Sequence, residues 1–113
     1  MGNELIYKII SKEDLKSFRH EEIFSGVGLD LEHGFIHFSK ADQIDGTLKK
    51  YFQGGDGYVI LVVDAKTLGS DLRWEPSASG AIYPHLYGKL TLRSVIAAVP
   101  VTRRKDGSLI IPK

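Results

Sequence analysis

Residues 58–63 read Tyr-Val-Ile-Leu-Val-Val, a continuous apolar and β-branched run, and the break Gln53-Gly54-Gly55-Asp56-Gly57 stands directly before it. A strand without polar alternation has to be covered on both faces, so this run predicts the central strand of a sheet packed on each side. That demand needs a real core. A chain of 113 residues supplies one, burying roughly two-thirds of its unfolded surface, and neither a repeat nor a linker divides it. One domain over 1–113 is expected.

The flanking elements are read from the same rules. Leu5-Ile6-Tyr7-Lys8-Ile9-Ile10 is a β-rich opening strand, after which Ser11 is placed as the N-cap of a short helix over 12–20, with Asp14 at its third position. Glycines 26, 28 and 34 among charges make 21–34 a surface loop, and Phe35 to Phe38 resumes an extended pattern. Ser39 reads as a second N-cap, followed by a helix over 40–52 on which Ala41, Ile44, Leu48 and Phe52 share a face. After the central strand, Leu72 to Trp74 is a brief strand, 77–80 a loop and Leu92 to Val101 a long β-capable run. Asp106-Gly107 then turns the chain into Leu109-Ile110-Ile111. The order predicts an α+β fold with a largely antiparallel or mixed sheet.

Several functions lack their chemistry here. With no cysteine there is no disulfide, thiol nucleophile or cysteine-based metal site. A net charge of +1 makes no broad field for nucleic acid or an anionic membrane, and the short run Arg103-Arg104-Lys105 is read as a solvated hairpin flank. The N-terminal residues carry no export or membrane-spanning pattern, so a cytoplasmic location is expected. Gly54-Gly55-Asp56-Gly57 precedes a strand rather than a helix, Gly26-Val27-Gly28 lacks a third glycine, and no Gly-x-Ser-x-Gly occurs. P-loop, dinucleotide-fingerprint and serine-hydrolase sites are set aside.

Chemistry-bearing residues concentrate in two signatures, Gly34-Phe35-Ile36-His37-Phe38-Ser39 and Leu72-Arg73-Trp74-Glu75-Pro76, the second followed by Tyr83-Pro84-His85-Leu86-Tyr87-Gly88. Polar and titratable side chains that interrupt strand-like runs are costly to bury alone, so they mark a candidate site. Arg73 and Glu75, two apart on a strand, face one side and can pair with each other, while Trp74 should point the other way into packing. Tyr83-Pro84-His85 has a second reading as a rigid turn, with a cis bond at Pro84. His33, His37, His85 and Glu75 have the ligand types of a metal site, but a four-residue histidine spacing converges on a helix, and Gly34-Phe35-Ile36 enters a strand. No metal is assigned.

On these signatures, together with Tyr7-Lys8-Ile9 and Ala41-Asp42-Gln43, the sequence resembles the bacterial domain-of-unknown-function family 952. That family is similar in fold to ADP-ribosyltransferases. The resemblance implies a small split, bent mixed β-sheet with two or three short helices and a cleft for a nucleotide or NAD-derived ligand, with NAD as the cofactor. It implies catalytic roles for Glu75, which would stabilise an oxocarbenium-like ribose, and for His37. Lys8, Ser39, Arg73, His85 and Tyr87 would bind the ligand. Active transferases of that fold carry histidine or arginine on the first strand where this chain has Lys8, and a lysine offers only a point charge.

Each residue also has a structural role open to it. His37 can be held by backbone partners, Ser39 can be a cap and Arg73 with Glu75 an ion pair. Two functions therefore stand side by side: a transferase of ADP-ribosyl or phosphoryl groups, and a non-catalytic ligand-binding or protein-interaction module.

Overall fold

The computed structural model describes residues 4–112. Its centre is strand β4 (Tyr58–Asp64), paired antiparallel on one side with β1 (Leu5–Ser11) and on the other with β8 (Val95–Pro100). Side chains of β4 alternate between two cores, as the unbroken apolar run requires. Val59, Leu61 and Val63 pack with Ile6, Phe18, Phe24, Ile36 and Leu86. Ile60 and Val62, on the opposite face, pack with Tyr7, Ile9, Ile44, Leu48 and Leu109.

Helix α1 (Lys12–Glu21) begins where Ser11 Oγ accepts from the Asp14 N–H at 3.0 Å, and it buries Leu15 and Phe18. The region expected to be loop is built. It holds β2 (Ile23–Phe24), which pairs with β7 (Leu90–Thr91), and a five-residue helix α2 (Leu29–His33). A segment that short gives no helical periodicity to read.

Four further expectations change. Ser39 is not a cap: it bridges Tyr7 through two backbone hydrogen bonds of 2.8 and 2.9 Å. The helix expected over 40–52 starts instead as a single 3₁₀ turn at Ala41–Gln43, where Gln43 Oε1 accepts from the Lys40 N–H, and becomes α3 over Ile44–Tyr51. Residues 92–94 make another 3₁₀ turn, so the long β run starts only at Val95. Tyr83-Pro84-His85 lies within a strand, β6 (Ile82–Leu86), and all described peptide bonds are trans.

A third sheet, ordered β3 (Ile36–His37), β6, β5 (Leu72–Pro76), carries both signatures. Every ladder among the described residues is antiparallel, so the sheet structure is divided but not mixed. Trp74 shares its face of β5 with Leu72, which packs against the core, but is itself 38% exposed.

The basic run near the C-terminus is not simply solvated. Around the turn at Gly107, Arg103 donates to Asp45 Oδ1 at 2.8 Å, to the Gly54 carbonyl at 3.0 Å and to the Gly107 carbonyl at 2.9 Å. One guanidinium thus ties the hairpin to α3 and to the glycine break before β4. Arg103→Ala should lower stability by about 1 kcal/mol, the net worth of a few partly exposed hydrogen bonds. Urea denaturation checks this, and an unchanged midpoint would show that the hairpin is not held by these bonds.

Candidate functional site

The β3–β6–β5 sheet aligns the sequence-predicted residues by register. His37 faces His85 across β3 and β6, and His85 faces Arg73 across β6 and β5. One strand-to-strand row therefore carries two imidazoles and a guanidinium. Glu75 and Tyr87 join it through side-chain bonds.

Glu75 Oε1 lies 2.8 Å from His85 Nδ1 and accepts from the Tyr87 hydroxyl at 2.7 Å. The His85 and Tyr87 hydrogen bonds hold the Glu75 carboxyl below the usual range, and the carboxylate in turn pushes the Tyr87 hydroxyl up. Arg73 does not pair with Glu75. Its guanidinium carbon lies 4.3 Å from the centroid of the Tyr87 ring, a cation–π arrangement.

A second carboxylate–imidazole pair sits beside the first. Asp30 is buried at 4% exposure on α2, and it takes two contacts from Lys8 Nζ, at 3.0 and 2.8 Å. Backbone N–H groups of Val27 and His37 also donate to it, and His37 Nδ1 lies 2.7 Å from its Oδ1. Burial alone would raise the Asp30 carboxyl, but the bonds from His37 and Lys8 outweigh it and hold the group at about 2. Burial pushes the Lys8 ammonium down, opposed by the Asp30 charge. With Lys8, His37 and two backbone N–H groups on it at close range, Asp30 stays charged, and it forms an ion pair with Lys8 at neutral pH. Gly26 permits this approach: at φ 114 a Cβ there would lie 2.7 Å from Asp30 Cβ.

Phe35 joins the two pairs. Its ring stacks on His85 at 4.1 Å and stands 5.1 Å from Tyr87, 4.5 Å from His37 and 5.8 Å from His33, while the His37 and His85 rings meet edge-on at 5.5 Å. His33 Nδ1 is 3.0 Å from His37 Nε2. The four-residue histidine spacing thus converges without a shared helix, because α2 ends at Gly34 in the left-handed region, φ 81, and the chain doubles back into β3. Among the described residues, however, no three His, Asp or Glu side chains come together to hold a metal.

The structure thus brings His37, Arg73, Glu75, His85 and Tyr87 together. Lys8, 6% exposed, reaches them only through Asp30. Ser39, 4% exposed, has its hydroxyl 3.2 Å from Thr47 Oγ1 on α3 and is not brought into this group. Sequence reasoning missed Asp30. It met His33 only as a metal ligand and Phe35 only as part of a signature, not as a hydrogen-bond partner of His37 or as the ring between the pairs. Two surface hollows lie elsewhere, one against α1 at Lys16, Ser17, His20 and Glu21, the other at Gln53, Gly54, Asp56, Val101 and Arg103. Neither is lined by residues of the imidazole–carboxylate face.

Comparison with known proteins gives a family and a fold. A family model described as "Protein of unknown function (DUF952)" matches residues 9–98. The crystal structure of protein CC0527 from Caulobacter crescentus is 39% identical over 94% of this chain and 93% of its own, with a TM-score of 0.83. The solution structure of CC0527 is 40% identical over 91% and 89%, with a TM-score of 0.79. No curated protein matches the chain.

Proposed function

Because the chain belongs to the DUF952 family, a family of unknown function, its sheet-borne face is the place to look for one, and we propose that the face binds a nucleotide or NAD-derived ligand, with ADP-ribosyl or phosphoryl transfer as its chemistry. The observation that carries this reading is the placement of Arg73 against the Tyr87 ring beside the Phe35–His85 stack. A guanidinium suits a phosphate, and adjacent aromatic rings suit a base or nicotinamide ring. Arg73 is the phosphate contact, and Phe35 and Tyr87 supply the aromatic surface. Glu75, oriented by His85 and Tyr87, faces the ribose, and His37, its ring nitrogens taken up by Asp30 and His33, bears on the ligand only through His33.

Titrating isotopically labelled protein with NAD, ADP-ribose and a 2′-phosphorylated nucleotide should shift amide resonances at His37, Arg73, His85 and Tyr87. Arg73→Ala should weaken binding at least tenfold, as expected for about 1.5 kcal/mol or more from a charged hydrogen bond. No shifts at millimolar ligand, or shifts confined to the hollow at Gln53 and Arg103, would refute the reading.

A non-catalytic module is the second reading, favoured by Glu75 Oε1 already serving two donors. It predicts the same shifts with the ligand chemically unchanged over hours.

A further inference from the structure

The charge on Asp30 dictates where the protons of two histidines lie. An ionised carboxylate only accepts, so the 2.7 Å contact requires His37 to carry its proton on Nδ1. In the neutral ring Nε2 is then a bare acceptor. The atom facing it at 3.0 Å is His33 Nδ1, which must be the donor. His33 Nε2 is left with a free lone pair on an exposed residue at the end of α2. A chain of hydrogen bonds thus runs from the buried Lys8–Asp30 pair through His37 to an unprotonated imidazole nitrogen at the surface.

We infer that His33 is the general base of this face, with His37 and Asp30 as positioning residues that receive its charge. The inference rests on the ligand reading above for its substrate, and it names the co-substrate class: a hydroxyl nucleophile, either water or an acceptor alcohol. The Phe35 ring places the base beside the binding surface, 5.8 Å from His33 on one side and 5.1 Å from Tyr87 on the other.

The step balances. The nucleophile's O–H bond breaks, and its proton goes to His33 Nε2. The proton on His33 Nδ1 crosses to His37 Nε2, so His33 ends neutral and His37 ends as an imidazolium against Asp30. The oxygen lone pair forms a bond to ribose C1′ of NAD as the glycosidic C–N bond breaks. That bond's electrons neutralise the ring nitrogen, nicotinamide leaves uncharged, and one proton is returned to solvent. Lys8 keeps Asp30 ionised throughout, so the receiving site stays open.

The first test needs no ligand. Long-range proton–nitrogen spectra of the labelled full chain should show His33 and His37 in their neutral forms both protonated at Nδ1 and bare at Nε2. An Nε2-protonated tautomer at either residue would overturn the relay. The second test follows nicotinamide release from NAD by the wild type and by His33→Ala. The variant should lose about a hundredfold in kcat with KM little changed, the usual worth of a general base. Equal rates, or no release by a wild type whose resonances shift with NAD, would overturn the catalytic role. Absence of any NAD-induced shift would instead count against the ligand reading, and the tautomers alone would then decide whether the base exists.

Discussion

Lys8→Met should remove about 3–5 kcal/mol of folding stability, because it strands the Asp30 carboxylate in a buried site without its cation. The effect is large because both partners are buried, with side chains only 8% and 3% exposed. Water cannot replace the lost ammonium, and His37 and the Val27 N–H remain the other donors to the carboxylate. Adding Asp30→Asn to Lys8→Met should recover part of the loss, since it removes the stranded charge yet leaves an oxygen for the Val27 N–H.

The acid response carries the same signature. Asp30 titrates at about 2 in the folded protein against an ordinary 3.8. A depressed carboxyl contributes stability that is present above its unfolded value and lost as pH falls through the folded one. Wild-type stability should therefore drop between about pH 4 and pH 2. In Lys8→Met the carboxyl loses its cation and rises, so less stability is lost in that window. Equilibrium denaturation across this range measures both effects. A change under 1 kcal/mol at neutral pH would mean that Asp30 relaxes to solvent and that the site is not rigidly held.

Leu61→Ala should cost about 2–5 kcal/mol. Leu61 is fully buried on the middle strand and packs in the larger of the two cores, among Phe18, Phe24, Ile36 and Leu86. Neighbouring strands on both sides restrain β4 from collapsing into the space left behind. Thermal or chemical denaturation gives the value directly. A loss near 1 kcal/mol would indicate that the neighbouring layers close the void. Ile36 and Leu86 belong to the site-bearing sheet, so the same substitution should also disturb the resonances of His37 and His85.

How far the sequence could be read depended on how local the determinants were. Ser11 as a cap, the 58–63 run as a central strand and the turn at Gly107 are all fixed by neighbours within a few residues, and all three hold. Ser39 misled because its surroundings look like a helix start, while its backbone is engaged by Tyr7, far away in sequence. Trp74 misled because alternation assigns a face but not how deeply each residue on that face is covered: Leu72 on the same face packs against the core, while Trp74 is 38% exposed. Pro84 misled because proline is itself a turn-former, while the strand that holds it is set by pairing with β3 and β5.

The site divides on the same line. His37, Arg73, Glu75, His85 and Tyr87 were visible as polar interruptions of strands and do converge. Asp30 was hidden in a glycine-rich charged stretch, where a buried acid and a solvated one look alike. Only the approach of β1 from the far side, bringing Lys8, reveals which it is. His33 became meaningful only once the left-handed residue at Gly34 had folded it back on His37.

The order of strands in the central sheet has a consequence for biosynthesis. β1 is made first, yet its partner β4 is not complete until residue 64, and the second neighbour of β4 arrives only with residues 95–100. A nascent chain cannot close this sheet by local hairpins. The sheet partner of β1 arrives only after more than 40 further residues are made, so until then the first strand is sheltered by α1 through Leu15 and Phe18, by the Tyr7–Ser39 bridge and by Ile44 and Leu48 of α3.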